Sequence, residues 1–172
     1  RFALPALVLL LAPLALNAQP VPPGKRPMKL DDLYALKRVA APQVSPDGKT
    51  VAYQLTTVDL EKNKSSTALW LAATDGKTPP KQLTDPKGKR DAAPRWSPDG
   101  SRILFESSRS GTSQLWVVDA KGGEPKQLTT ISTGASNGIW SPDGSHVAFV
   151  STVFPEFSEK PFAESDKLNK QK

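Results

Sequence analysis

One pentapeptide in this sequence has the residue types that acyl-transfer chemistry requires. Residues 134–138 are Gly-Ala-Ser-Asn-Gly, which matches the G-x-S-x-G pattern of a serine nucleophile. In such a site a histidine removes the serine proton and an acidic side chain orients the histidine. The pattern is active only when the serine stands on a sharp turn between a buried strand and a helix, with the acid and the histidine later in the chain.

The sequence around this pentapeptide does not provide that setting. Residues 129–133 before it are largely polar, and residues 139–142 after it begin another strand. The one histidine of the chain, His146, stands close to a turn and is predicted to face solvent. We therefore predict that Ser136 and His146 form no catalytic pair, and we assign no catalytic, cofactor-binding or metal-binding residue and no cofactor.

Three identical Ser-Pro-Asp-Gly tetrapeptides place carboxylates at regular intervals. They lie at 45–48, 97–100 and 141–144, and their aspartates could be metal ligands or catalytic acids. A type I turn, however, favours Ser at its first position, Pro at the second and Gly at the fourth. A glycine in the left-handed region then closes a bulged hairpin. Turn formation accounts for all three aspartates together, so we predict a structural role for them.

The tetrapeptides belong to a longer repeat. Their aspartates stand at positions 47, 99 and 143, so the steps are 52 and 44 residues. Each tetrapeptide precedes an alternating apolar run, and Leu-Trp and Gln-Leu-Thr also recur in phase. Repeats of about 40–50 residues with four short strands are typical of β-propeller blades. The predicted fold class is all-β: a partial β-propeller of about two and a half four-stranded antiparallel blades, similar to WD repeats, with an N-terminal signal segment and one short helix.

The four tryptophans occupy repeated positions. Trp96 and Trp140 end first strands, and Trp70 and Trp116 lie in third strands. A row of aromatic side chains could form a platform for a sugar or a nucleic acid. Because these residues recur at equivalent positions, we predict instead that they pack between blades.

The charge pattern argues against a nucleic-acid partner. The chain has 23 Lys and Arg and 17 Asp and Glu, with a formal net charge of +6. From residue 25 onward the two signs are interspersed, whereas nucleic-acid binding requires basic residues concentrated on one face. We expect no nucleic-acid partner.

The first eighteen residues differ from the rest. Residues 2–16 are almost wholly apolar but contain two prolines, and Arg1 precedes them. The stretch is too short for a transmembrane helix, and its order of charge, apolar run and small residues near Ala18 is typical of a secretory signal peptide. We expect export to the periplasm or the medium, and no stable membrane insertion after cleavage. The chain has no cysteine, which argues against a lipid-anchored form.

These patterns divide the chain into seven segments. After a proline-rich stretch, apolar residues at helical spacing with acids early and bases late predict a short helix. The predicted segments are the signal peptide (1–18), a Pro-rich spacer (19–29), the short helix (30–40), blade 1 (41–92), blade 2 (93–138), the start of blade 3 (139–157) and a charged connector (158–172).

One stretch resembles a known family. Residues 30–48, LDDLYALKRVAAPQVSPDG, are similar to the entry to the propeller of prolyl oligopeptidase-family serine peptidases, above all the exported bacterial dipeptidyl peptidase and acylaminoacyl peptidase branch. The Trp-Ser-Pro-Asp-Gly sequences at 96–100 and 140–144 resemble its blades. Residues 151–156 resemble the step before a charged connector in that branch.

The resemblance implies a function for a longer protein. Family members carry a C-terminal α/β-hydrolase domain with a Ser-Asp-His triad, and their propeller admits short peptides and excludes folded proteins. Apart from the G-x-S-x-G match at 134–138, which lacks the required setting, no motif of that domain occurs in this chain. We therefore expect an N-terminal propeller fragment that is not itself catalytic, whose parent binds peptide substrates through the hydrolase domain.

Two other functions are compatible with the repeats. One is a non-catalytic, TolB-like periplasmic propeller that mediates protein–protein interaction. That group places a separate α/β domain before its blades, whereas little sequence separates the expected cleavage site from the first hairpin here. The other is a free-standing scaffold whose loops bind a ligand, although no loop sequence indicates which ligand.

Overall fold

The structure is a computed structural model that describes residues 26–86, 89–154, 156 and 159–170. The predicted signal peptide and the first part of the predicted spacer, up to residue 25, lie outside these residues. In chain order the elements are α1 (Leu30–Ala35), β1 (Arg38–Val44), β2 (Thr50–Asp59), β3 (Lys64–Ala73), β4 (Lys81–Gln82), β5 (Asp91–Trp96), β6 (Arg102–Ser107), β7 (Gln114–Asp119), β8 (Lys126–Gln127), β9 (Ser136–Trp140), β10 (Val147–Val150) and α2 (Phe162–Asn169).

The strands of the described part form three antiparallel sheets. Strands β1 to β4 are neighbours in sequence order in one sheet, β5 to β8 in a second, and β9 pairs with β10 in a third. The first strands β1, β5 and β9 lie next to one another along the inner edge of the array. This architecture confirms the prediction of an all-β partial propeller with two four-stranded blades and the start of a third.

Each first strand contains a bulge at the same place in the repeat. Ala41, Ala93 and Asn137 have φ angles of 50°, 52° and 54°, a left-handed conformation that costs a non-glycine residue about 1–2 kcal/mol. The bulge directs a backbone donor to the preceding blade. The N–H of Ala93 donates to Gln54 Oε1 at 3.1 Å, and the N–H of Asn137 donates to Glu106 Oε1 at 2.8 Å. The local strain is therefore coupled to a contact that joins adjacent blades.

Tryptophan side chains make a second repeated contact between blades. Trp96 Nε1 donates to the Gln43 carbonyl oxygen at 3.0 Å, and Trp140 Nε1 donates to the Arg95 carbonyl oxygen at 3.3 Å. Each acceptor lies on the first strand of the preceding blade. Neighbouring blades are thus held in register by a backbone donor and an indole donor at each junction.

The buried core also lies between blades. One cluster combines apolar residues of the two complete blades, and Trp96 and Trp116 pack against it. Its buried members are Ala52, Leu69, Leu83, Ile103, Phe105 and Val118. A second cluster joins the second blade to the third, with Trp140 and Val147 packed against Leu104, Leu115, Ile131 and Ala135. The predicted inter-blade packing is confirmed for three tryptophans, and it stays a prediction for Trp70.

The short helix is shorter than predicted. The spacing of apolar residues predicts a helix over 30–40, but α1 ends at Ala35 and β1 begins at Arg38. The backbone of residues 38–40 pairs with β2, opposite residues 54–56. Pairing with a neighbouring strand outweighs the helix-like spacing of the apolar residues, because propensity is a weak guide where tertiary contacts compete.

The blade boundaries and the connector also differ from the prediction. Strand β5 begins at Asp91 and β9 at Ser136, earlier than the predicted starts at 93 and 139, because each bulge lets pairing continue beyond it. The predicted connector contains α2. Asp166 of that helix accepts hydrogen bonds from the N–H and the hydroxyl of Ser132, at 2.8 and 2.6 Å. Neither α1 nor α2 has the length and the apolar run needed to cross a bilayer.

Candidate functional site

The turn aspartates are engaged in local hydrogen bonds. In the second turn, Ser97 Oγ donates to Asp99 Oδ1 at 2.5 Å, and the N–H of Gly100 donates to the Ser97 carbonyl oxygen at 2.9 Å. Ser101 donates its N–H and its hydroxyl to the two carboxylate oxygens of Asp99, at 3.1 and 2.6 Å. The Ser-to-Asp and Gly-to-Ser bonds recur in the first and third turns. These are the contacts of the predicted turn.

The same contacts lower the pKa values of these carboxyls. Hydrogen bonds from Ser141 and then Ser145 lower the pKa of Asp143 to about 2, from an ordinary value of 3.8. At Asp99 the pKa is also lowered, and the hydrogen bond from Ser101 is the largest cause. A general acid must hold a proton near the working pH, so these ionised carboxylates act as hydrogen-bond acceptors at neutral pH.

Ser136 and His146 lie at opposite ends of the third sheet. Ser136 starts β9 and pairs with Val150, whereas His146 precedes Val147, which pairs with Trp140 next to the hairpin. Four residues of strand separate them, or about 13 Å at 3.3 Å per residue. The exposed His146 Nδ1 contacts the hydroxyl of its neighbour Ser145 at 2.6 Å. The serine is followed by a strand instead of a helix, so the structure does not bring the G-x-S-x-G residues and the histidine together.

A buried ion pair in the second blade was not anticipated from the sequence. The Asp91 side chain has no exposed surface, and its Oδ2 lies 2.5 Å from Arg109 Nη2. Ser107 Oγ donates to Asp91 Oδ1 at 2.6 Å. The Arg109 guanidinium lies over the Trp116 ring, 5.1 Å from its centroid. Because the carboxylate is sealed from solvent, the cluster serves to fix the β6–β7 loop against β5.

An open groove runs along the first strands at their hairpin ends. It has a volume of about 340 Å³, within the usual range for pockets that hold small molecules. We call this cavity the inner groove. The residues that line it include Val44, Arg95, Trp96, Ile139 and Trp140. Within the ranges that the structure describes, no three histidine or acidic side chains are close enough together to hold a metal ion. The inner groove combines a charged side chain with aliphatic and aromatic ones, so we take it as the candidate site for a small organic ligand.

Comparisons with known proteins agree with the fold. Over 124 residues the chain is 38% identical to the uncharacterized peptidase YuxL of Bacillus subtilis, covering 72% of this chain and 19% of that protein. It is 30% identical over 139 residues to dipeptidyl-peptidase 5 of Porphyromonas endodontalis, covering 80% of this chain and 20% of the relative. An acylaminoacyl peptidase of Pyrococcus horikoshii superposes with a TM-score of 0.56 at 25% identity, covering 70% of this chain and 18% of that structure.

The match is confined to one part of these proteins. The chain spans about a fifth of the length of the curated relatives it matches. The family model of the TolB beta propeller domain matches residues 34–159, which include α1 in part and all ten strands. The chain therefore belongs to the TolB beta propeller domain family.

Proposed function

We propose that this chain is the propeller part of an exported serine peptidase of the prolyl oligopeptidase family, of the dipeptidyl or acylaminoacyl peptidase type. The observation that carries the proposal is the 38% identity to a peptidase over 124 residues, which are 72% of this chain. The resemblance of residues 30–48 to the entry of such propellers supports it. In this proposal the chemistry belongs to an α/β-hydrolase domain, and the propeller controls which peptides reach that domain.

The inner edge of the blades suits such a selection. The first strands of consecutive blades lie side by side there, so a closed ring of blades encloses a channel. An extended peptide is about as wide as the 4.8 Å spacing of neighbouring strands. A folded domain of 100 residues has a radius of gyration of about 13 Å. In this proposal, a channel lined by these strands admits extended peptides and excludes folded domains.

The test uses the full-length protein encoded by the gene. We expect it to cleave chromogenic dipeptidyl or N-acylaminoacyl substrates, to react with a serine-directed fluorophosphonate, and to leave a folded protein substrate intact. Absence of both hydrolysis and labelling would contradict the proposal and favour a non-catalytic interaction propeller. Rapid digestion of the folded protein would contradict the selective role alone.

Export is part of the proposal and has its own measurement. The order of charge, apolar run and small residues in 1–18 supports a cleaved leader. We expect the mature protein in the periplasmic or extracellular fraction, with an N-terminus close to residue 19. Recovery of the protein from the cytoplasm with the leader intact would contradict this part.

A further inference from the structure

We propose that the inner groove binds the C-terminal end of a short peptide, with Arg95 holding the terminal carboxylate and the apolar groove residues contacting the last side chain. The inference rests on the proposed function, and it adds the chemical class of the peptide end that the propeller recognises. It assigns a binding role to the side chain of a β5 residue whose carbonyl oxygen accepts the Trp140 indole N–H at the blade junction.

Arg95 has a guanidinium that the fold leaves largely uncommitted. The side chain is half-buried on β5, and its Nη1 donates to the neighbouring Pro94 carbonyl oxygen at 3.1 Å. Within the described residues no carboxylate lies within ion-pair distance of it, whereas Arg109 is paired with Asp91. A guanidinium carries five N–H donors. Several donors of Arg95 are therefore free to bind an anionic group placed in the groove.

The surface beside Arg95 is apolar. Ile139, which has the position on β9 that Arg95 has on β5, is 61% exposed and lines the same cavity as Arg95. Trp96 and Trp140 also line this cavity, and the parts of their half-buried rings that do not pack against the blade junctions add apolar surface. The Arg102 guanidinium lies over the Trp140 ring, 4.7 Å from its centroid. A cation flanked by aliphatic and aromatic surface is complementary to a carboxylate that carries an apolar side chain.

The geometry favours a carboxylate over polyanions. Among the described residues that line this cavity, Arg95 is the one with a charged side chain. Phosphate-rich ligands such as nucleic acids depend on several basic residues acting together. A single guanidinium matches one planar carboxylate, which it can bind through two parallel hydrogen bonds. Every short peptide, whatever its sequence, carries such a carboxylate at its C-terminus.

The experiment measures the preference for a free C-terminus. The full-length protein is first treated with a serine-directed fluorophosphonate, so that a hydrolase active site in it is blocked. Calorimetric titration then compares Gly-Gly-Leu as the free acid, the same peptide as the C-terminal amide, and Gly-Glu-Leu amide, whose carboxylate is on a side chain. We expect the acid to bind about tenfold more tightly than either amide, the ratio expected for one charge-assisted hydrogen-bonded contact.

Matched variants assign the preference to one residue. Arg95→Gln is expected to abolish the acid-over-amide ratio, whereas Arg90→Gln, which removes the same charge from an exposed side chain outside the groove, is expected to keep it. Arg95→Lys retains the charge without the planar fork, so an intermediate ratio is expected. If Arg95→Gln does not fold, the acid-over-amide ratio of Arg95→Lys, which retains the charge, tests the site instead.

Each contrary result would overturn a specific part of the proposal. Equal binding of acid and amide by the wild-type protein, or equal losses in Arg90→Gln and Arg95→Gln, would overturn the site. Equal binding of Gly-Glu-Leu amide and the free acid would overturn the assignment to the C-terminus. A protein that lacks peptidase activity but keeps the Arg95-dependent ratio would contradict the proposed function and leave this inference standing.

Discussion

Asp91 shows how one residue can matter more to this fold than its local sequence suggests. Its side chain has no exposed surface, and the Arg109 partner is 14% exposed. Strand pairing places Asp91 opposite Ser107 in the second blade. At the equivalent positions of the first blade, Val39 pairs with Leu55. Polar residues at two apolar positions of the repeat were the available signal. Arg109 lies outside the strands and has no repeated counterpart, so its partnership could not be read from spacing.

We predict that Arg109→Met destabilises the protein by about 3–5 kcal/mol, because the substitution leaves the Asp91 carboxylate buried without a counter-charge. Chemical denaturation followed by fluorescence measures the free energy of unfolding. The double variant Asp91→Ala/Arg109→Met removes both charges and should recover part of that loss. A single variant with wild-type stability would show that water or another group replaces the guanidinium.

A matched control uses an exposed ion pair. Lys62 Nζ lies 2.8 Å from Asp59 Oδ2, and both side chains are well exposed. Exposed pairs contribute little to stability because solvent screens them. Lys62→Met is therefore expected to leave the unfolding midpoint unchanged, which separates the effect of burial from the loss of a cation as such.

At the level of elements, the hairpins were the most predictable part. Ser-Pro-Asp-Gly specifies its own turn, and the apolar runs that follow it, such as residues 103–105, form strands. The C-terminal end of α1 was less predictable, because residues 36–40 have helical spacing but a strand as their partner. Helix α2 was hidden for another reason. Its sequence is mostly polar, and Asp166 accepts hydrogen bonds from Ser132 in the body of the protein.

The inner groove was also beyond the reach of the sequence. Its residues come from three first strands that are far apart in the chain and meet only when the blades pack. The sequence did indicate that Trp96 and Trp140 face other blades. It gave no indication that Arg95, between a proline and a tryptophan, stands beside them without a carboxylate partner.

The pentapeptide 134–138 provides a prediction at this scale. A Cβ added to Gly138 would stand 2.8 Å from Leu104 Cδ2 and 3.0 Å from Leu115 Cδ1. Gly138→Ala should therefore cost about 1–3 kcal/mol through overpacking of the junction between β9 and the second blade. Thermal unfolding checks this expectation. A variant as stable as the wild type would mean that the two leucines can move aside.

Ser136→Ala is the natural companion variant, because it alters the serine of the same G-x-S-x-G pentapeptide. We expect a change in stability of less than about 0.5 kcal/mol and no effect on the peptidase activity proposed for the full-length protein. Loss of activity in a folded Ser136→Ala variant would contradict the structural role of this segment and restore the catalytic hypothesis.

For the whole molecule, the important property is that each sheet buries its apolar side chains against the next one. The two clusters of buried residues both span a junction between blades. On the third sheet, Ile139, Phe149 and Val150 are 61%, 40% and 57% exposed. Repeat proteins gain stability from nearest-neighbour interfaces, so the stability of this array depends on structural features that recur in every blade. The Ser-Pro-Asp-Gly turn is one such feature.

The recurring turns predict how stability depends on pH. The turn aspartates have lowered pKa values in the folded protein, and that of Asp143 falls to about 2 from an ordinary value of 3.8. A carboxyl with a lowered folded-state pKa stabilises the fold above its unfolded value, and this contribution is lost as the pH falls through the folded value. We therefore expect the unfolding midpoint to be constant near neutral pH and to decrease between about pH 4 and pH 2. Replacing Asp47, Asp99 and Asp143 with Asn should lower the midpoint at pH 7 and flatten the acid dependence. A triple variant with the same acid slope as the wild type would show that other carboxyls control it.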